Sequence, residues 1–313
     1  MRLRNRLLLV LPVAAACSVL LGGSASARTG KLAFRICQYN VHFDYEDDGA
    51  ERRWVKRRDL CSGLLLASKA SVACIQEEKD DQVDDLKARM PGWTFVGRGR
   101  LADGKGEHTS VLFKSDVWSC VDHGDFWLSD TPDTPGSISW GCKYTHKATW
   151  ALLKLAAEGK SGQVVVISTH FDENAGMDEA RKKSSEVVRT YIGKHFKKAN
   201  IVVCGDFNSA VTDASHEVMA DTSIDPPLQD VWDVVRPPEP APGTVHHWTG
   251  VAKTKRIDWI FMGGGVTANS IHIDRWNKDG KYGSYHFAVE ADLELPAEGG
   301  APKKKDYVEP QVK

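Results

Sequence analysis

The chain has 313 residues, with 41 basic and 42 acidic side chains and seven cysteines. This near balance excludes a protein that coats nucleic acid through charge neutralisation alone. With 42% apolar residues the chain can bury a sizeable core.

The first 27 residues divide into a basic start (Arg2, Arg4, Arg6), an apolar run over 7–21 and Ala25-Ser26-Ala27. That order predicts a secretory signal peptide cleaved after Ala27. Pro12 and Cys17 keep the uninterrupted apolar run below the ~20 residues that a membrane span needs. A secreted protein with no stable membrane insertion after cleavage is expected; a lipoprotein anchored at Cys17 is the alternative. Cleavage removes three basic residues and no acidic one, leaving a mildly acidic mature chain. Strands are predicted over 34–40, 71–75, 110–113, 149–155, 164–168, 201–204, 256–261 and 288–293, and helices over 53–68 and 178–196. Several strands are apolar on both faces, so two sheets packed face to face with helices outside satisfy the pattern. One domain over 28–295 and a disordered tail over 296–313 complete the organisation. Six cysteines remain after cleavage. Cys120 and Cys142 flank the same Pro/Gly-rich loop and are the expected disulfide, and no Cys/His spacing suggests structural zinc.

Polar groups gather at the ends of these strands: Gln38-Tyr39-Asn40, Ile75-Gln76-Glu77, Gly205-Asp206-Phe207-Asn208 and Arg256-Ile257-Asp258. His170 in Ser168-Thr169-His170-Phe171-Asp172 and His286 in Ser284-Tyr285-His286 join them. Each alone is a weak signal. Together they supply what cleavage of a phosphate ester requires. Glu77 offers oxygen to a hard cation such as Mg²⁺. Asp206 and Asn208, two apart on an extended segment, can share and deprotonate a water. His286 is placed to donate to the charge developing on phosphorus-bound oxygens, with Asp258 fixing its tautomer and raising its pKa.

The ordered set QYN, IQE, STHFD, GDFN, RIDWIF and a final histidine before a strand resembles the endonuclease/exonuclease/phosphatase superfamily, of deoxyribonuclease I type, over 32–295. The resemblance implies a single-domain α/β fold, a four-layer α/β/β/α sandwich. It also implies a divalent-metal-dependent phosphoric ester hydrolase using Mg²⁺ or Mn²⁺. By position it assigns Asn40 to the phosphate or its metal, Glu77 to the metal, and His170, Asp206, Asn208, Asp258 and His286 to catalysis. The stretches FWLS-x-TP, PGS and ATW, beginning at Phe126, Pro135 and Ala148, are similar to a secreted bacterial branch. There His146 holds an arginine position and His247 lies in a loop of the HTFHGF kind, and both are expected to face substrate. Where the family reads Ser-Asp-His, this chain has Ser284-Tyr285-His286, which removes a carboxylate from the metal end. A phosphodiesterase, most simply an extracellular nuclease, is the leading expectation. A phosphatase or phospholipase C-type enzyme on small or lipid phosphates, or a catalytically weak ligand-binding member, are the alternatives. The expected partner is a phosphate-ester substrate, nucleic acid among the candidates, and a monomer is expected.

Overall fold

A computed structural model describes residues 30–157, 160–235, 242–253 and 255–297. In chain order its elements are β1 (Lys31–Asn40), α1 (Trp54–Ala67), β2 (Val72–Gln76), α2 (Asp80–Arg89), β3 (Trp93–Val96), β4 (Val111–Lys114), β5 (Trp118–Trp127) and β6 (Lys147–Ala157). There follow β7 (Lys160–His170), α3 (Asp178–His195), β8 (Ile201–Asp206), α4 (Ala214–Ala220), β9 (Leu228–Asp230), α5 (Val231–Val235), β10 (Asp258–Gly263), β11 (Thr267–Asp274) and β12 (Ala288–Pro296).

Two six-stranded sheets form, in the orders β11-β12-β1-β2-β4-β3 and β5-β6-β7-β8-β10-β9. Their facing sides share one apolar core that includes Ile36, Val72, Val111, Val166, Val202, Ile260 and Val289. Each such side chain contributes about 1.5–3 kcal/mol on burial. A second apolar layer packs the outer face of the second sheet under α3 and α4, through Val188, Ile192, Phe196 and Met219. A third packs α1 and α2 on the first sheet, through Trp54, Leu64, Leu65 and Leu86. The expected α/β/β/α sandwich is the observed architecture.

Strand direction decides where the polar ends go. β1 runs parallel to β2, with Asn40 opposite Gln76, and β7 runs parallel to β8, with His170 opposite Asp206. β10 runs antiparallel to β8, so Asp258 at its start lies opposite Asp206. β12 runs antiparallel to β1, with Val289 opposite Gln38, so His286 just before it arrives at the same end. Gly205 allows β8 to lie close to β7, because a Cβ there would stand 2.5 Å from the Thr169 carbonyl oxygen. One end of the sandwich therefore collects all the polar strand termini.

Two expectations change. Cys120 and Cys142 are both free thiols. Cys120 lies near the start of β5, whereas the loop carrying Cys142 leaves from the strand's other end; seven residues of strand separate the two ends by roughly 23 Å. The last strand continues through Pro296, and the Ala297 amide still donates to the Gly30 carbonyl at 2.7 Å. The rest of the expected tail and the expected signal peptide lie outside the described residues. Among the described residues no helix is long and apolar enough to cross a membrane.

Candidate active site

Asn40 ends β1 with its side chain fully buried. The backbone N–H of His42 donates to its Oδ1 at 2.9 Å, which fixes the amide orientation, since an N–H can only donate. Its Nδ2 therefore points into the centre and donates to Glu77 Oε1 at 2.7 Å and to Asp206 Oδ2 at 2.9 Å. Of the two roles expected for Asn40, contact with a phosphate oxygen is the one that an inward-facing Nδ2 donor serves directly.

Glu77 follows β2 in the left-handed region, at φ 70°. Burial opposes its ionisation, but the hydrogen bond and charge of His42 outweigh burial and hold the carboxyl well below its ordinary range. His42 stands between two acids, with Nδ1 3.0 Å from Glu77 Oε2 and Nε2 2.5 Å from Asp48 Oδ2. Both ring nitrogens thus have a carboxylate partner. Sequence reading missed His42, because it lies past the strand end in a left-handed conformation, at φ 59°, that no local pattern announces. The buried guanidinium of Arg57 secures this turn by donating to the carbonyls of Val41, His42, Phe43 and Gly283.

On the other sheet, Asp206 ends β8 and the Asn208 amide donates to its Oδ1 at 3.0 Å. Asn208 is at φ 49°, so the two meet through a turn and not along the expected extended segment. Asn208 Nδ2 lies 3.0 Å from the Phe171 carbonyl and 3.1 Å from His170 Nε2. Burial pushes His170 down to about 3, which leaves it neutral and an acceptor from Asn208.

His286 is shifted the other way. Its Nδ1 lies 2.9 Å from Asp258 Oδ2 and its Nε2 lies 3.6 Å from Asp206 Oδ2. Burial would lower it, but Asp258 and Asp206 more than reverse that and raise it to about 9. Asp206 is itself raised, by burial and by the charge of Asp258. Three buried acids (Glu77, Asp206, Asp258) thus gather round the His286 ring, a set of oxygens that a cation can join. Glu77, His170 and Asp206 offer ligand atoms within 4.8 Å of one another. Oxygens of Glu77 and Asp206 suit Mg²⁺ or Mn²⁺.

Sequence reading also missed the support beneath these groups. Gln38 and Gln76 pair through their amides at 2.5 and 3.0 Å between the sheets. Gln38 also reaches Asp258 at 3.3 Å, and Gln76 reaches Ser168 Oγ at 3.0 Å. Tyr285 occupies the place of the absent carboxylate, with its ring 4.4 Å from that of His42 and stacked 5.7 Å from that of His247. His247 is exposed above it. Trp248 follows, with its ring 5.9 Å from that of His42. These two left-handed residues, at φ 45° and 68°, form the rim. His146 is buried, with its ring 5.8 Å from that of His170.

The profile of the Endonuclease/Exonuclease/phosphatase family matches residues 37–286. No curated protein matches the sequence. An endonuclease/exonuclease/phosphatase from Bacteroides vulgatus is similar in structure, with TM-score 0.75 and 27% identity over 84% of this chain and 99% of that one. The mannosyl-6-phosphatase of Bacteroides thetaiotaomicron superposes with TM-score 0.72 at 24% identity, over 83% of this chain and 99% of that one. D. rerio TDP2 complexed with single-strand DNA product does so with TM-score 0.63 at 18% identity, over 83% and 98%. These last two likenesses concern the fold.

Proposed function

Since the chain belongs to the Endonuclease/Exonuclease/phosphatase family, we propose that it is a divalent-metal-dependent phosphodiesterase that opens a P–O bond by in-line attack of water. The observation carrying this reading is the convergence of Asn40, Glu77, Asp206, Asn208, Asp258 and His286 from both sheets on one buried centre. Oxygens of Glu77 and Asp206 would hold Mg²⁺ or Mn²⁺. When bound, such an ion polarises the phosphoryl oxygens and offsets their charge.

The remaining work falls to the side chains. Asp206, its Oδ1 oriented by the Asn208 amide, takes the proton of the attacking water. Asn208 holds the turn that aims it. Asn40 Nδ2 and the His286 imidazolium donate to phosphate oxygens as charge gathers on them. Asp258 keeps His286 protonated through Nδ1, so Nε2 is the donor facing the centre.

A second reading, a phosphatase on a small phosphorylated ligand, is favoured by one cavity. It has a volume of about 380 Å³, borders the His42 turn through Arg57 and Trp248, and is lined by Arg52, Lys56, Lys281 and Tyr282, with Glu51 as its one acid. It suits one compact anionic group better than a polymer. We further propose export with removal of residues 1–27, on the pattern of that segment alone; N-terminal sequencing of mature protein from the medium tests it. Turnover of bis-p-nitrophenyl phosphate and plasmid DNA with Mg²⁺ or Mn²⁺, lost with chelator, is the expected result. Turnover of monoesters alone supports the second reading, and no turnover of any phosphate ester with any metal overturns both.

A further inference from the structure

Four clusters among the described residues bring three metal-ligand side chains together: Glu77/His170/Asp206, Asp206/Asp258/His286, His216/Asp230/Asp233 and His146/Asp172/Glu173. Three of them are internally satisfied. Those at the centre are described above, and in the third, Asp230 accepts from His216 at 2.9 Å and from Arg256 at 2.7 Å. The fourth differs. His146 and Asp172 are 4% and 1% exposed. Yet Nδ1 and Nε2 of His146 and Oδ2 of Asp172 make no hydrogen bond of good geometry, although the Cys142 thiol stands beside the Asp172 carboxyl. His146 Nε2 lies 3.5 Å from Asp172 Oδ2, without hydrogen-bond geometry, and 3.8 Å from Glu173 Oε2. Leaving such atoms buried and unpaired is costly, unless something else occupies the space between them.

We propose that His146, Asp172 and Glu173 form a second cation site, sharing no ligand with the Glu77 centre and selective for Zn²⁺ over Mg²⁺. One imidazole nitrogen and two carboxylate oxygens form a set that Zn²⁺ accepts, whereas Mg²⁺ prefers oxygen alone and retains its waters. The ligand atoms lie within 4.8 Å of one another, so a small contraction brings them onto one ion. Asp172 is already oriented: its Oδ1 accepts from the backbone and side chain of Asn174 at 2.8 and 2.9 Å, and its carbonyl accepts from Arg181 at 2.9 Å. That leaves Oδ2 turned to His146. Glu173, 44% exposed, gives an ion its route in from solvent and a mobile third ligand. The sequence hid this set because His146 comes from the start of β6 and the two acids from the loop after β7.

The full chain, stripped of metal and then held in excess Mg²⁺, is titrated with Zn²⁺ by calorimetry. One Zn²⁺ is expected to bind per chain, to weaken at least tenfold in both His146→Gln and Glu173→Gln, and to persist in Glu77→Gln. Co²⁺ in the same protein gives d–d absorption bands that His146→Gln abolishes. Glu173 is exposed, so its variant reports on the site even if His146→Gln unfolds. Absence of Zn²⁺ binding in the wild-type chain overturns the proposal. Binding that survives Glu173→Gln unchanged, or is lost only in Glu77→Gln, overturns it too.

Discussion

Replacing Asp258 by Asn removes one charge from the centre while nearly preserving shape. In the metal-free protein Asp258 is the principal reason that His286 is raised from 6.5 to about 9. That rise corresponds to about 3 kcal/mol favouring the imidazolium. Without it burial is opposed only by Asp206 and Glu77, so the His286 pKa falls and less of the ring is charged at neutral pH. If the charged ring donates to the phosphoryl oxygens, kcat/KM at neutral pH falls by roughly 10². The alkaline limb of the pH profile also moves to lower pH, because the donor now loses its proton sooner. Acidifying the assay recovers part of the loss until Asp206 itself takes up a proton. The profile is measured with bis-p-nitrophenyl phosphate at saturating metal, and the His286 ring is titrated by nitrogen NMR in metal-free protein. An alkaline limb and ring titration at the same pH in both proteins would refute the reasoning.

Asp206→Ala should abolish hydrolysis while the circular dichroism spectrum and melting temperature stay close to wild type; full activity would remove Asp206 from its assigned role. Arg57→Met removes a donor from the carbonyls of Val41, His42, Phe43 and Gly283, and should cost about 1–3 kcal/mol in a denaturant titration. Tyr285→Asp adds a carboxylate beside the Glu77 end and should lower the Mg²⁺ concentration for half-maximal activity by about tenfold. For stability against pH, His286 has a folded value above its unfolded one. Its contribution of about 3 kcal/mol is therefore complete below the unfolded value of about 6.5 and lost as pH rises through about 9. His286→Gln should flatten that alkaline decline in metal-free protein.

The eight strands read from the sequence are the interior strands of the two sheets, and the four missed ones are their edges. β8 reads Ile-Val-Val-Cys-Gly-Asp and is buried throughout, so its apolar run is unambiguous. β5 and β11 alternate buried and exposed positions and carry Asp, His, Ser and Asn, which a pattern search takes for loop. β3 and β9 are only four and three residues long. α2 escaped for a related reason: Asp-Asp-Gln-Val-Asp-Asp-Leu-Lys-Ala-Arg buries little beyond Val83 and Leu86. The site was legible wherever a polar residue bounded an apolar strand, as Asn40 and Asp206 do at the ends of β1 and β8 and Asp258 does at the start of β10. It was illegible where a left-handed turn brought in the group, as with His42, or where burial decided a protonation state, as with His170.

The amide pair of Gln38 and Gln76 has a consequence beyond support of Asp258. Apolar surfaces attract without direction, so two sheets packed on aliphatic side chains can slip past one another by a few ångströms at small cost. Amide hydrogen bonds tolerate only a few tenths of that displacement. With Gln38 tied to Asp258, and Gln76 to Ser168, the first sheet is pinned to the second at two points. The halves of the centre come from opposite sheets, and the pins hold them in alignment. Swapping both glutamines for leucines would keep the sandwich folded and let it lose its aim.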